Sequence, residues 1–168
     1  MITSTSSSQV KHVVNLQKKA KLRKEEKQFV VEGVKMVSEA PADRLVKVYV
    51  SETFKADNEE FLERMNYDSI GKDVLEIVTD NVFMRMADTQ TPQGIMAVVR
   101  MSDTDLEGIL SDKRNPLLLI IENLQDPGNL GTIVRMAEGA GVTGIIMSSN
   151  TVDIYNPKTI RSTMGSLY

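Results

Sequence analysis

Leu117-Leu118-Leu119-Ile120-Ile121-Glu122-Asn123-Leu124-Gln125-Asp126-Pro127-Gly128-Asn129-Leu130-Gly131 decides the fold of the last third of the chain. Five aliphatic residues without alternation read as a strand covered on both faces in a parallel sheet. The polar loop Glu122 to Asn129 leads into a helix expected over Leu130 to Gly139. The loop therefore sits at the carboxyl end of a strand, where open α/β sheets place their ligand sites. It gathers Asn, Asp, Pro and two Gly, so backbone N–H groups at a helix N-terminus can meet an anion such as phosphate. Arg135 follows inside the helix. The same residues also suit a plain turn and cap with a surface Arg. Gly139-Ala140-Gly141-Val142-Thr143-Gly144 has the spacing of a dinucleotide fingerprint, but its order is reversed. Here a helix ends and a strand begins, so the glycines read as a tight αβ turn. Gly144 to Met147 reads as a second buried strand. Asn156-Pro157 reads as an N-cap followed by Pro at the first helical position.

Upstream, short strands alternate with helices, which argues for α/β layers. The basic stretch from Gln9 to Lys27 has apolar residues at roughly helical spacing and reads as one helix. Phe29 to Val31, Leu45 to Val50, Val74 to Val78 and Ile95 to Val99 read as strands. Helices are expected over Gly33 to Ala40, Asn58 to Met65 and a segment capped by Asp80. Thr91-Pro92-Gln93-Gly94 reads as a turn, and residues 1–8 as a frayed start. The organisation expected is a small α/β domain over 1–105, a linker over 106–115 and a second α/β unit over 116–168. Two central-type strands in that last unit expect more sheet around them, which suggests an incomplete second domain.

The chain has 168 residues, no cysteine and a single histidine, His12. That excludes disulfides, thiolate catalysis and sulfur-based zinc sites, and no metal is expected. No aliphatic run approaches a membrane span, so a soluble, cytoplasmic protein is expected, with no membrane partner. The net charge of −3 is uneven: residues 1–28 sum to +5, residues 36–112 to −9 and residues 113–168 to +1. A basic arm on an acidic body suggests a polyanion partner for the arm, although a solvated helix face has the same composition.

Asp126-Pro127-Gly128-Asn129-Leu130-Gly131-Thr132-Ile133-Val134-Arg135 resembles the first motif of the SpoU (TrmH) family of RNA ribose 2′-O-methyltransferases. Asn156-Pro157-Lys158-Thr159-Ile160-Arg161-Ser162-Thr163-Met164-Gly165-Ser166 resembles its second motif. Phe29 to Gly33, Val48 to Ser51 and Thr91 to Ile95 resemble its substrate-binding domain. The family's third motif, a Gly/Glu loop followed by Ser-Leu-Asn, is absent from the sequence. The resemblance implies a three-layer α/β RNA-binding domain followed by the first part of a SPOUT-type, parallel-sheet methyltransferase domain that is knotted when complete. About a third of a usual family member would be missing.

The activity implied is methyl transfer from S-adenosylmethionine to a ribose 2′-hydroxyl of ribosomal or transfer RNA. The resemblance gives Asn129 and Arg135 the catalytic work. It gives Asp126, Pro127, Gly128, Gly131, Asn156, Pro157, Ser162 and Gly165 to motif support. Lys158 and Arg161 would approach the RNA backbone, as would Lys18, Lys19, Lys21, Arg23 and Lys24 on the basic arm. Cofactor-binding residues are expected beyond residue 168, so this chain is expected to bind S-adenosylmethionine poorly and to lack activity alone. A homodimer is expected once the catalytic domain is complete. The alternative is a non-catalytic RNA-binding module. A small nucleotide-binding protein, suggested by the glycine loop, is disfavoured by its reversed context.

Overall fold

The basic stretch expected as one helix forms two in the computed structural model: α1 spans Ser8–Lys18 and α2 spans Ala20–Glu26, with Lys19 extended between them. The break changes what one arginine does. Arg23 is only 3% exposed. Its Nη1 donates to the carbonyls of Leu16 at 2.6 Å and Gln17 at 2.9 Å. These carbonyls belong to the last turn of α1 and have no partner within the helix. The expectation that Arg23 meets RNA is therefore overturned: its guanidinium is spent on ending α1. His12 bonds Glu26 at 2.6 Å and ties the two helices together.

The structure describes residues 1–65, 74–103, 105–111 and 115–168. It divides them into two units, Met1–Met101 and Ser102–Tyr168. In the first, β1 (Gln28–Glu32), β2 (Leu45–Ser51), β3 (Leu75–Val78) and β4 (Ile95–Arg100) form one sheet in the order β1-β4-β2-β3. β4 runs antiparallel to β1 and β2, and β2 runs parallel to β3. Helices α3 (Val34–Ser38), α4 (Glu52–Asp57), α5 (Glu59–Met65) and α6 (Asp80–Met86) connect them. Helix α4 had no signal in the sequence reading. It starts on Ser51, whose hydroxyl accepts from Phe54 N.

The alternation in β2 predicts one wet face, yet Val48, Tyr49 and Val50 are all buried. Both faces of the sheet are covered. On one, Val30, Tyr49, Met96 and Val98 pack with Val10, Val13 and Leu16 of α1 and with Val82, Phe83 and Met86 of α6. The residues alternating with these, Phe29, Val31, Val48, Val50, Ile95 and Ala97, are equally buried. Beside them Phe54 meets Phe61 edge-on at 6.1 Å. This is the three-layer arrangement expected.

Two local expectations fail for identifiable reasons. The cap of α6 is Thr79, whose hydroxyl accepts from Val82 N. Asp80 instead accepts from Thr53 Oγ1 at 2.6 Å and Thr53 N at 3.3 Å. These bonds, the hydroxyl's foremost, hold its carboxyl below the usual carboxylate range. The start of the chain is anchored rather than frayed. Ile2 N donates to Ile77 O at 2.8 Å and Thr79 N to Ile2 O at 3.1 Å, adding a parallel bridge to the β3 edge.

The second unit contains α7 (Leu106–Leu110), β5 (Leu118–Ile121), α8 (Pro127–Gly139), β6 (Gly144–Met147) and α9 (Pro157–Thr163). β5 and β6 are parallel, with Leu118 opposite Gly144 and Ile121 opposite Met147. The stretch 106–115 was expected as a linker. Its described part begins with α7, capped by Asp105 on Gly108 N. A Cβ on Gly144 would lie 2.8 Å from Ile109, so α7 packs on this unit. Residues 112–114 lie outside the described residues. The expectation that β5 is covered on both faces is not met. Ile121, with Leu119, packs toward Leu130 and Val134. On the opposite face Ile120 is 73% exposed and its partner Ile146 36%. Helix α8 covers one side and α7 reaches only the Leu118–Gly144 end of the other.

Two outcomes follow from the buried polar groups. Arg23→Ala should lower the stability of the first unit by about 1–3 kcal/mol, because two helix-end carbonyls lose their donor. Thermal melting should show this, while exposed Lys24→Ala stays within about 0.5 kcal/mol of wild type. Tyr49 donates to Gln9 Oε1 at 3.1 Å, and burial, then the nearby Glu76 charge, pushes its phenol up to about 12. Its folded value exceeds the unfolded one, so the stability it contributes is complete below about pH 10 and is lost as pH rises through 12. Alkaline absorbance titration should show a late tyrosine phase that Tyr49→Phe removes.

Candidate functional site

Parallel strands deliver their exits to the same edge, and α8 and α9 follow those exits. Asp126 caps α8, its Oδ1 accepting from Asn129 N at 2.7 Å, with Pro127 at the first helical position. Asn156 caps α9, its Oδ1 accepting from Lys158 N at 2.9 Å, again with Pro following. The second cap is as expected. The first shows that α8 starts three residues earlier than its apolar pattern indicates. Pro127, Gly128 and Asn129 are its first turn rather than a loop. Pro fits where an N–H has no helical acceptor, and the Asx cap satisfies one of the remaining donors.

The two post-strand loops are stitched together. Asn123 N donates to Ser148 Oγ at 2.9 Å, Val152 N to Leu124 O at 2.8 Å, and the Gln125 amide to Asn150 O. Ser148, Gln125 and Asn150 were not singled out from the sequence. The polar run Ser148 to Thr151 signals a loop, but only the fold shows which loop it meets.

The two helices approach most closely at Gly131. A Cβ there would lie 1.8 Å from Ser162 Oγ and 2.8 Å from the Ser162 carbonyl carbon. Ser162 Oγ lies 2.7 Å from Thr159 O and 3.1 Å from Pro127 O, so its hydroxyl donates at the seam. Gly131 and Ser162 are therefore packing residues that lock the first motif to the second. After α9, Met164 (φ 54°) and Gly165 (φ 105°) turn the chain with left-handed backbone. At the far end of α8, Gly141 takes φ 75°, as a helix-ending glycine does.

Arg135 lies one turn beyond Gly131 on the same side of α8 and is exposed. Among the described residues no carboxylate pairs with it. Asn129 is exposed as well. It sits about 9 Å back along the axis and about 120° round the helix from Arg135. The structure thus presents the two side chains from adjacent faces rather than as a contacting pair. Lys158 is exposed and Arg161 half-buried. In the first unit Lys18, Lys19, Lys21 and Lys24 are exposed, with Lys21 3.7 Å from Glu25. One buried hydroxyl, Thr159 Oγ1, has no hydrogen-bond partner, and nothing in the described residues explains it.

A cleft of about 350 Å³ runs beside the C-terminal half of α8. Neither Asn129, Arg135 nor Lys158 lines it. Val134, Ala137, Ile145, Met147 and Ile154 give it apolar walls, Glu138 is its charged group, and Thr143 Oγ1 is engaged by Leu117. Among the described residues no three His, Cys, Asp or Glu gather as metal ligands. No described helix is long and apolar enough to cross a membrane.

The first unit is a three-layer α/β domain, and in the second the exits of two parallel strands lead to helices locked through a glycine seam. Residues 7–97, more than half of the chain, match the MRM3-like substrate binding domain, and residues 116–168 match the SpoU rRNA Methylase family. The chain belongs to this family of SpoU-type proteins with an MRM3-like substrate-binding domain. It is 32% identical over 163 residues to human rRNA methyltransferase 3, mitochondrial, covering 92% of this chain and 36% of that protein. It is 37% identical over 90 residues to the Bacillus subtilis 23S rRNA (guanosine(2553)-2′-O)-methyltransferase RlmP, covering 54% of this chain and 34% of that one. The AdoMet-bound rRNA methyltransferase of Sinorhizobium meliloti superposes with a TM-score of 0.81 at 26% identity, covering 99% of this chain and 60% of that one. The chain thus spans about a third of the length of these two curated relatives.

Gly131→Ala tests the seam. The added methyl meets backbone, which yields less than a flexible side chain. The second unit should lose about 1–3 kcal/mol, read as faster amide exchange in α8 and α9 with the first unit unchanged.

Proposed function

We propose that the whole protein is an S-adenosylmethionine-dependent methyltransferase acting on a ribose 2′-hydroxyl of ribosomal RNA. One observation carries the proposal: α8 and α9, which bear the two motifs, are locked at Gly131 and Ser162 on the carboxyl edge of β5 and β6, with Arg135 exposed beside the seam. The names of the relatives support the same chemistry.

S-adenosylmethionine would supply the methyl group. It carries a carboxylate, an ammonium and a ribose diol, all needing polar partners. The lining of the 350 Å³ cleft offers one carboxylate, Glu138, and no cationic side chain. The described residues do not by themselves make a seat for it.

The residues present act on the RNA. A guanidinium keeps its proton at neutral pH, so Arg135 serves as a clamp on the phosphate beside the target ribose. It stabilises negative charge that builds up as the hydroxyl loses its proton. Asn129 orients the ribose through its amide. Lys158 and Arg161 approach the backbone from α9. Lys18, Lys19, Lys21 and Lys24 hold RNA on the first unit, whose acidic remainder repels it. A homodimer of the whole protein belongs to the same reading.

In the whole protein, Arg135→Ala should lower methyl transfer at least about 100-fold. The melting curve should stay unchanged, because the side chain is exposed. Methylation at the wild-type rate would overturn the role. RNA binding by the whole protein without any methyl transfer would favour the RNA-binding module instead.

A further inference from the structure

A cavity of about 180 Å³ opens on the first unit between the start of the chain, α1 and α6. Its floor is Val10, which is 1% exposed, and half-buried Val14. Its polar lining is Thr5, Lys11, Asn15 and Arg85. No acid lines it, although residues 36–112 of the sequence sum to −9. Lys11 and Arg85 are both exposed, and among the described residues neither pairs with a carboxylate. Elsewhere in the unit several cations do pair: Lys21 with Glu25, Lys35 with Glu39 and Lys47 with Glu76. The Asn15 side chain likewise has no hydrogen-bond partner among the described residues.

Two cations from different helices face one concavity, beside a neutral amide and a hydroxyl. That set suits a singly charged oxyanion. The guanidinium fork and the ammonium neutralise its charge, while Asn15 and Thr5 donate to remaining oxygens. The valine floor suits the apolar edge of a sugar.

We propose that Lys11 and Arg85, with Asn15 and Thr5, form a seat for one phosphodiester of a bound RNA. This inference rests on the RNA reading above. It places the RNA track across α1 to α6 as well as along the lysines of α2. The footprint then continues on the face that carries the anchored start of the chain.

The test uses this 168-residue chain, Lys11→Ala/Arg85→Ala, and Lys35→Ala/Lys55→Ala as a charge-matched control outside the cavity. With a labelled single-stranded RNA, the first pair should weaken binding about tenfold and reduce the slope of log affinity against log salt by about 1. The control pair should change affinity less than about threefold. Unchanged affinity and slope in Lys11→Ala/Arg85→Ala would overturn the seat while leaving the RNA reading intact. A second measurement needs no RNA: dimethyl phosphate is titrated while backbone amide resonances are followed. Shifts should centre on Thr5, Lys11, Asn15 and Arg85 and vanish in the double variant. Their absence from those residues would overturn the seat. A chain that shows these shifts but binds no RNA would uphold the seat as an oxyanion site and count against the RNA reading. Melting curves of both exposed-residue pairs should match wild type.

Discussion

The close approach of α8 and α9 at Gly131 is the constraint on which the second unit depends. Parallel pairing of β5 and β6 brings both strand exits to one edge, but it does not bring the helices that leave them into contact. That contact needs a position without a side chain, since any Cβ at Gly131 would collide with the Ser162 backbone. The Asx caps at Asp126 and Asn156 then fix where each helix begins, and Pro127 and Pro157 fix the backbone angle of each first turn. With both starts and the crossing set, the positions of Arg135 and Lys158 follow from helix geometry alone.

The first unit shows how burial reassigns charge. Seven Lys and Arg in the first 28 residues look interchangeable in the sequence. In the fold they separate. Arg23 ends α1, Lys21 pairs with a neighbouring glutamate, Lys11 faces a cavity with Arg85, and Lys18, Lys19 and Lys24 point into solvent. At the break between α1 and α2 a single guanidinium nitrogen of Arg23 donates to two carbonyls at once.

The uncovered face of β5 and β6 is the opposite of what the hydropathy of the strands implies. Leu118 to Ile121 is apolar at every position, as a strand enclosed on both sides is. Ile120 and Ile146 nonetheless meet solvent, because α8 covers one face and α7 only one end of the other.

By itself the sequence determined the order of the strands, the α/β layering and the two motif segments. Strand hydropathy, Asx-Pro helix starts and helix-ending glycines are all local signals. It also determined where cations concentrate, because charge is composition. Tertiary structure alone decided the rest. Asp80 turned to Thr53 because α4, invisible in the pattern, came alongside. Both faces of β2 were closed because helices lie on either side of a sheet whose neighbours come from distant sequence. Ser162, Arg23, Lys11 and Arg85 acquired their roles from partners 6 to 74 residues away. Periodicity records what a segment does to itself, and these roles are made by contacts between segments.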